Sequence, residues 1–137
     1  MEQITVRGML AASPDRIYAA WIDGEGHTTM TGSPATVDPH VGGAFSAWDG
    51  YITGTTLALE PGRRIVQAWR STDFPEEAGD SHVEIELSEC PGGTEILIRH
   101  TDIPAGQGPN YAQGWEEFYL TPMAAHFGEL AEPPGED

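Results

Sequence analysis

Histidine is the side chain best suited to proton transfer near neutral pH, because its ordinary pKa lies close to 6.5. The five histidines stand at positions 27, 40, 82, 100 and 126. None has the HExxH or paired-cysteine spacing that prepares a metal site, so neither a metal nor another cofactor is expected. His82 shares the polar side of a strand pattern with Glu84 and Glu86, which is typical of a solvated surface.

His100 is the histidine most relevant to function, because it continues the inward register of Ile96 and Ile98. A buried imidazole there could exchange a proton with a bound ligand, with Tyr119 as the second acid–base group. The alternative is a core histidine at the rim of a cavity whose ring nitrogens are satisfied by hydrogen bonds. Both interpretations are compatible with the sequence.

Other catalytic groups are scarce in this chain. Cys90 precedes Pro91-Gly92-Gly93 at an expected hairpin tip, beside Glu89, and this setting disfavours a reactive thiolate. No nucleophile-elbow motif marks a serine triad. The chain contains no lysine, which excludes Schiff-base chemistry at a lysine amine. The sequence therefore predicts no catalytic constellation beyond the weak pair His100 and Tyr119.

Apolar and aromatic residues at inward positions define a candidate ligand pocket. The residues expected to line or back it are Trp69, Phe45, Tyr119, Trp115, Met123, Met30, Ile98 and His100. Such side chains suit an adaptable apolar pocket with a few polar tips. They suit a filled core equally well, since small domains pack densely.

One long C-terminal helix has to position the aromatic side of this pocket. A turn at Ile103-Pro104 leads into it, and its apolar residues recur at steps of three or four on one broad stripe. The stripe consists of Trp115, Phe118, Tyr119, Pro122, Met123, His126 and Phe127. Pro122 lacks a backbone donor and is expected to kink the helix near Phe118.

The rest of the chain predicts a first strand, short helices and an antiparallel meander. Glu2 to Ala11 alternates as a strand, and Ser13-Pro14-Asp15 begins a short helix that Asp23-Gly24-Glu25-Gly26 is expected to end. Residues 27–39 are expected to form a short irregular helix and a loop. Five strands follow at 44–48, 51–59, 64–71, 81–88 and 94–101. This order indicates an α+β fold whose curved antiparallel sheet wraps around the last helix.

Length and charge narrow the class of protein further. At 137 residues the chain fits one domain, expected over residues 1–128, with an acidic tail at 129–137 that is expected to be disordered. Its 22 acidic residues and six arginines give a formal net charge of -16, which makes nucleic acid and anionic membranes poor partners. One cysteine excludes an internal disulfide, and the absence of a leader or membrane-span pattern predicts a cytoplasmic protein.

Short motifs in a fixed order resemble a known family. They are Gly42-Gly43-Ala44-Phe45, Asp49-Gly50, Gly54, Leu59-Glu60-Pro61, Ile65-Val66-Gln67-Ala68-Trp69-Arg70, Phe74-Pro75-Glu76, Thr94-Glu95, Ile103-Pro104 and Gln113-Gly114-Trp115, with Tyr119 and Phe127. They are similar to the C-terminal domain of the eukaryotic activators of the ninety-kilodalton heat-shock chaperone ATPase, and to single-domain relatives in the START-like (SRPBCC) superfamily. The resemblance runs from Ile4 to Gly128 and implies a helix-grip fold, in which a curved sheet holds the long helix over a cavity.

Three functions are compatible with these observations. The first is a non-enzymatic helix-grip protein that binds a small hydrophobic ligand between the sheet and the C-terminal helix. The second, which the resemblance implies, is a co-chaperone-like regulator with the heat-shock chaperone ATPase as its partner. The third is a cyclase, dehydratase or hydrolase that uses His100 and Tyr119.

Overall fold

The computed structural model describes residues 1–128, so the predicted acidic tail lies outside the described residues. The strands are β1 (Glu2–Leu10), β2 (Thr36–Val37), β3 (Ala44–Ala47), β4 (Ile52–Glu60), β5 (Arg64–Ser71), β6 (Ser81–Cys90) and β7 (Gly93–Ile103). The helices are α1 (Pro14–Trp21), α2 (Gly24–Thr31), α3 (Gly108–Trp115) and α4 (Thr121–Phe127), and a π-helical segment, Glu116–Leu120, joins α3 to α4.

All the strands of this part of the chain belong to one sheet with the order β1-β7-β6-β5-β4-β3-β2, and every neighbouring pair is antiparallel. The sheet curves around the C-terminal helix, with α3 and α4 packed against β1. The predicted α+β helix-grip architecture is therefore confirmed. β2 is an addition, because only a loop was expected there.

Alternation along the central strands creates the inner face of the sheet. β5 buries Ile65, Gln67, Trp69 and Ser71, while the residues between them are partly exposed. β7 buries His100 in the same register as its isoleucines, as predicted. Since successive side chains of a strand point to opposite faces, these buried residues lie on the inner face of the sheet, where Trp69, Ser71 and His100 contact α3. The inner face therefore presents both apolar and polar groups to the C-terminal helix.

The chain between the first two helices differs from the sequence-based expectation. α1 begins as predicted, with Ser13 Oγ accepting a hydrogen bond from Arg16 N at 3.2 Å. The short helix expected within residues 27–39 instead starts at Gly24, in the stretch that was expected only to end α1. Asp23 Oδ2 accepts a hydrogen bond from Gly26 N at 2.8 Å and so caps α2. The same polar, glycine-rich stretch thus ends one helix and begins the next.

The C-terminal helical run extends from α3 through α4 and is about 30 Å long at 1.5 Å per residue. Pro122 lies at the start of α4 and supplies no backbone donor. The distortion expected near Phe118 takes the form of the π-helical segment, in which Thr121 N donates to Glu116 O, five residues back. Such segments often accompany functional sites, because they change the direction in which side chains leave a helix.

Candidate functional site

A cavity of about 370 Å³ lies between the C-terminal helical run and the β3–β5 part of the sheet. The sheet side is lined by Trp48, Tyr51, Ile52 and Trp69. The helix side is lined by Asn110, Tyr111, Gly114, Trp115, Phe118 and Tyr119. This volume lies near the lower end of the range for small-molecule sites, about 300–1,000 Å³. We refer to this cavity as the aromatic pocket, because seven of its ten lining residues are aromatic.

Trp69 forms the inner wall of the aromatic pocket. Its ring centroid lies 5.2 Å from that of Tyr111 and 5.8 Å from that of Trp115, so β5 and α3 meet through these rings. Gly54 lies opposite Trp69 on β4. A Cβ atom at Gly54 would lie 2.0 Å from a backbone oxygen of β5 and 2.6 Å from the ring of Phe45, so only glycine fits there.

The β3–β4 turn places further aromatic groups at the opening of the aromatic pocket. Trp48 and Asp49 have positive φ angles of 53° and 56°, a left-handed conformation that costs a non-glycine residue about 1–2 kcal/mol. The ring of Trp48 packs against that of Phe118 at a centroid distance of 5.1 Å. Phe118 is 50% exposed and Tyr51 is 38% exposed. We call Trp48, Tyr51 and Phe118 the aromatic rim.

His100 is held in one tautomer by two buried partners. Trp115 Nε1 can only donate, and it donates to His100 Nδ1 at 3.1 Å. The proton is therefore on Nε2, which donates to Ser81 Oγ at 2.8 Å, and Ser81 Oγ donates to Trp69 O at 2.9 Å. Burial lowers the pKa of His100 to about 3. The imidazole is neutral at ordinary pH and has no free nitrogen.

Tyr119 is tied to a second buried histidine. His27 Nδ1 donates to Trp21 O at 2.9 Å, so its unprotonated Nε2 accepts from the Tyr119 hydroxyl at 2.8 Å. Burial lowers the pKa of His27 and raises that of Tyr119. The Trp48 indole nitrogen is itself buried, with no hydrogen bond of good geometry to any group in residues 1–128.

Polar groups are concentrated on one side of the aromatic pocket. Tyr51 donates its hydroxyl proton to Asp73 Oδ2 at 2.5 Å. Tyr111 donates its hydroxyl proton to Gln107 Oε1 at 2.9 Å. Because a tyrosine has one such proton, the Tyr111 oxygen accepts from Ser71 Oγ, 2.5 Å away. Burial is the main cause that raises the pKa of Tyr51 and of Tyr111, and the Asp73 carboxylate raises both further. This side therefore combines apolar rings with one negative charge.

The residues proposed from the sequence as pocket lining fall into two groups. Trp69, Trp115 and Tyr119 line the aromatic pocket. The others are buried in the core and are not part of the lining: Met30, Phe45, Ile98, His100 and Met123. His100 still contributes indirectly, because its hydrogen bond orients Trp115.

The aromatic rim and Tyr111 were not among the residues predicted from the sequence to line the pocket. Phe118 lay on the recognised helical stripe, and Tyr111 precedes Trp115 by one helical turn, so the helical period was a usable signal. Trp48 and Tyr51 are placed by the left-handed turn, which hydrophobic alternation does not reveal. The hydrogen bond between Tyr51 and Asp73 and the one between Ser71 and Tyr111 had no local sequence signal.

The described residues show neither a metal site nor a membrane-spanning helix. Within residues 1–128, no group of three or more histidine, cysteine, aspartate or glutamate side chains is arranged to hold a metal ion. No helix in this part of the chain has the length and apolar character that a membrane span requires.

The fold and the pocket can be compared with known proteins. The family model "Activator of Hsp90 ATPase homolog 1-like protein" matches residues 11–128. The human "Activator of 90 kDa heat shock protein ATPase homolog 1" is 29% identical over 126 residues, which are 92% of this chain and 37% of the human protein. The chain spans about a third of the length of the curated relatives it matches.

Solved structures extend the same similarity to three dimensions. A crystal structure described as an HSP90 activator from Plasmodium falciparum has a TM-score of 0.84 and 25% identity, and the match covers 96% of this chain and 100% of that one. CalU16 from Micromonospora echinospora has a TM-score of 0.75 and 26% identity, covering 91% and 74% of the two chains. The backbone that carries the aromatic pocket is thus shared with both.

Proposed function

The chain belongs to the family of Activator of Hsp90 ATPase homolog 1-like proteins, and from this premise we propose that it is a non-catalytic helix-grip protein that binds a small apolar molecule in its aromatic pocket. The observation that carries the proposal is the composition of the pocket wall, in which seven of ten residues are aromatic and none is charged. Rings of this kind offer a ligand a large apolar area at a small cost in side-chain entropy.

The hydrogen bonding of the candidate acid–base pair favours binding over catalysis. Both nitrogens of His100 are engaged by Trp115 and Ser81, and the Tyr119 hydroxyl is engaged by His27. A general acid or base must come within hydrogen-bond reach of the substrate proton. These groups would first have to break internal hydrogen bonds, each worth about 1 kcal/mol net. Binding requires no such rearrangement.

Gly114 offers a way to close the aromatic pocket without disturbing its walls. It lies on α3, lines the pocket and has an ordinary helical φ. Beyond the helix's own backbone, a Cβ added there would meet only Phe118 Cδ2, at 3.8 Å. Gly114→Leu should fill the pocket and raise helix propensity by roughly 0.5–1 kcal/mol. Gln113→Leu adds the same side chain at the neighbouring, exposed position and serves as the matched control.

The test is a titration of both variants and the unaltered chain with the neutral fluorophore N-phenyl-naphthylamine, whose emission rises in an apolar site. We expect at least tenfold weaker binding to Gly114→Leu and unchanged binding to Gln113→Leu, with thermal unfolding used to verify that both fold. Equal binding to all three proteins would place the probe elsewhere and would remove the support for this site.

A second function, regulation of the ninety-kilodalton heat-shock chaperone, is favoured by the names of the relatives. The human protein and the Plasmodium falciparum structure are both described as activators of that chaperone. The exposed ring of Phe118 offers this chain an apolar contact for such a partner.

The test for this second function is the ATPase rate of the purified host chaperone with and without this protein. Phe118→Glu should abolish a stimulation that Leu57→Glu, at an exposed position on β4, leaves intact. An ATPase rate that does not change on addition of the unaltered chain would reject this function.

A further inference from the structure

The positive side chains of this protein are not among those that line the aromatic pocket. The chain has six arginines and no lysine. Their contacts include Arg7 with Glu95, Arg16 with the Phe127 ring, Arg63 with Glu60, Arg64 with Glu60 and Glu84, Arg70 with Asp80, with the Phe74 ring and with backbone oxygens of residues 75–78, and Arg99 with Glu84 and Glu86. No arginine is part of the pocket lining. A ligand carboxylate or phosphate would therefore be desolvated there without a countercharge, which is unfavourable.

The walls of the aromatic pocket favour the opposite charge. The faces of indole, phenol and benzene rings carry negative electrostatic potential and attract ammonium groups, and indole is the strongest of the three. Three of the four tryptophans in the chain line this one cavity. An enclosure of several such rings is the arrangement that recognises quaternary ammonium ligands in other proteins.

A carboxylate adds to this potential beside the aromatic rim. Asp73 Oδ2 accepts the hydroxyl proton of Tyr51, a rim residue. Tyr111, on the helix side of the pocket, also responds to the Asp73 charge, after the larger effect of its own burial. The net charge of -16 over the whole chain would raise the local concentration of cations at this opening.

We propose that the aromatic pocket selects an organic cation, an ammonium group carried on an apolar body, over a neutral or anionic molecule of the same shape. The inference rests on the proposed function, since it assigns the charge of the ligand that the pocket binds. The apolar body contacts Trp69 and Trp115, and the ammonium group lies towards the aromatic rim and Asp73. A fatty acid or another anionic lipid is excluded by the same arrangement.

Three matched probes test the charge preference by isothermal titration. They are phenylpropyl-trimethylammonium, its neutral isostere with a quaternary carbon in place of the nitrogen, and a phenylalkyl carboxylate of the same length. We expect the cation to bind about tenfold more tightly than the isostere, which lies between the cation–π values for exposed and for desolvated sites. The carboxylate should bind more weakly than either. Equal affinity of cation and isostere would overturn the inference and leave the proposed function standing, whereas binding of none would reject both.

Two pairs of variants distinguish a cation preference that comes from the aromatic pocket from one that comes from the overall negative charge of the protein. Asp73→Asn should lower the cation-to-isostere ratio several-fold, while Asp80→Asn, which removes the same charge beside Arg70, should leave the ratio unchanged. Phe118→Leu retains apolar area but removes a ring, so it should lower the ratio, and Leu57→Ala should not. An equal fall in Asp73→Asn and Asp80→Asn would mean that non-specific attraction to the acidic surface explains the preference, and would overturn the inference.

Discussion

Acidification should destabilise this protein through the burial of His100. The folded-state pKa of His100 is lowered to about 3 by burial, while the unfolded chain has the ordinary value of about 6.5. Between these two values the unfolded state binds the proton and the folded state does not. The contribution of the neutral imidazole is therefore complete above pH 6.5 and is lost progressively as the pH falls towards 3. At about 1.4 kcal/mol per unit of pH, the loss at pH 5.5 is about 1.4 kcal/mol.

The assay is urea unfolding at pH 7.5 and pH 5.5, followed by tryptophan fluorescence. His100→Gln keeps a donor and an acceptor for Ser81 and Trp115 but cannot be protonated in this range. His126→Gln removes an exposed imidazole and is the control. Acidification also relieves the repulsion among the excess negative charges, and this effect is common to the three proteins. The informative quantity is therefore the difference between their pH responses.

The unaltered chain and His126→Gln should each lose about 1.4 kcal/mol more than His100→Gln on going from pH 7.5 to pH 5.5. The same pH response in His100→Gln and the unaltered chain would contradict a lowered pKa of His100 in the folded state. It would mean that His100 accepts the proton as readily in the folded state as in the unfolded chain. The imidazole would then be neither shielded from water nor held between Ser81 and Trp115.

Three further substitutions test the packing around the aromatic pocket by urea unfolding. Tyr119→Phe leaves His27 Nε2 without its donor and should cost about 1–3 kcal/mol, whereas a smaller cost would mean that water replaces the hydroxyl. Trp69→Ala should cost about 3–5 kcal/mol and weaken probe binding, because the ring is buried and forms the inner wall. Gly54→Ala should prevent folding or cost several kcal/mol of stability. Its control is Gly79→Ala, which should be close to neutral because an added Cβ meets no atom within 4 Å. Similar stability of the two variants would contradict the close approach of β4 and β5.

Elements with a clear hydrophobic period could be predicted from the sequence. The alternation in β5 and β7 placed Trp69 and His100 on the inner face, and the helical stripe placed Trp115 and Tyr119 opposite them. Pro122 located the distortion of the helix, because a proline within a continuous helical run removes the hydrogen bond to the carbonyl four residues back. These features depend on residues that are close in sequence.

The parts that escaped prediction depend on turns and on contacts distant in sequence. A left-handed turn carries Trp48 and Tyr51 to the aromatic rim, and alternation alone does not reveal such a turn. Phe45 has the inward register expected of it, but its ring covers Gly54 and lies outside the pocket lining. The end of α1 was predicted correctly, but the role of Asp23 as the N-cap of α2 was missed, because the residues that stop one helix also start another.

Binding of an apolar ligand in the aromatic pocket should be visible in the four tryptophan indole N–H signals of a proton–nitrogen NMR spectrum. Trp48, Trp69 and Trp115 line the pocket, whereas Trp21 is buried outside the lining and acts as an internal reference. On saturation with N-phenyl-naphthylamine, we expect large shifts for the three lining indoles and the smallest shift for Trp21. Four unchanged signals, or a largest shift at Trp21, would show that the probe does not bind in the aromatic pocket.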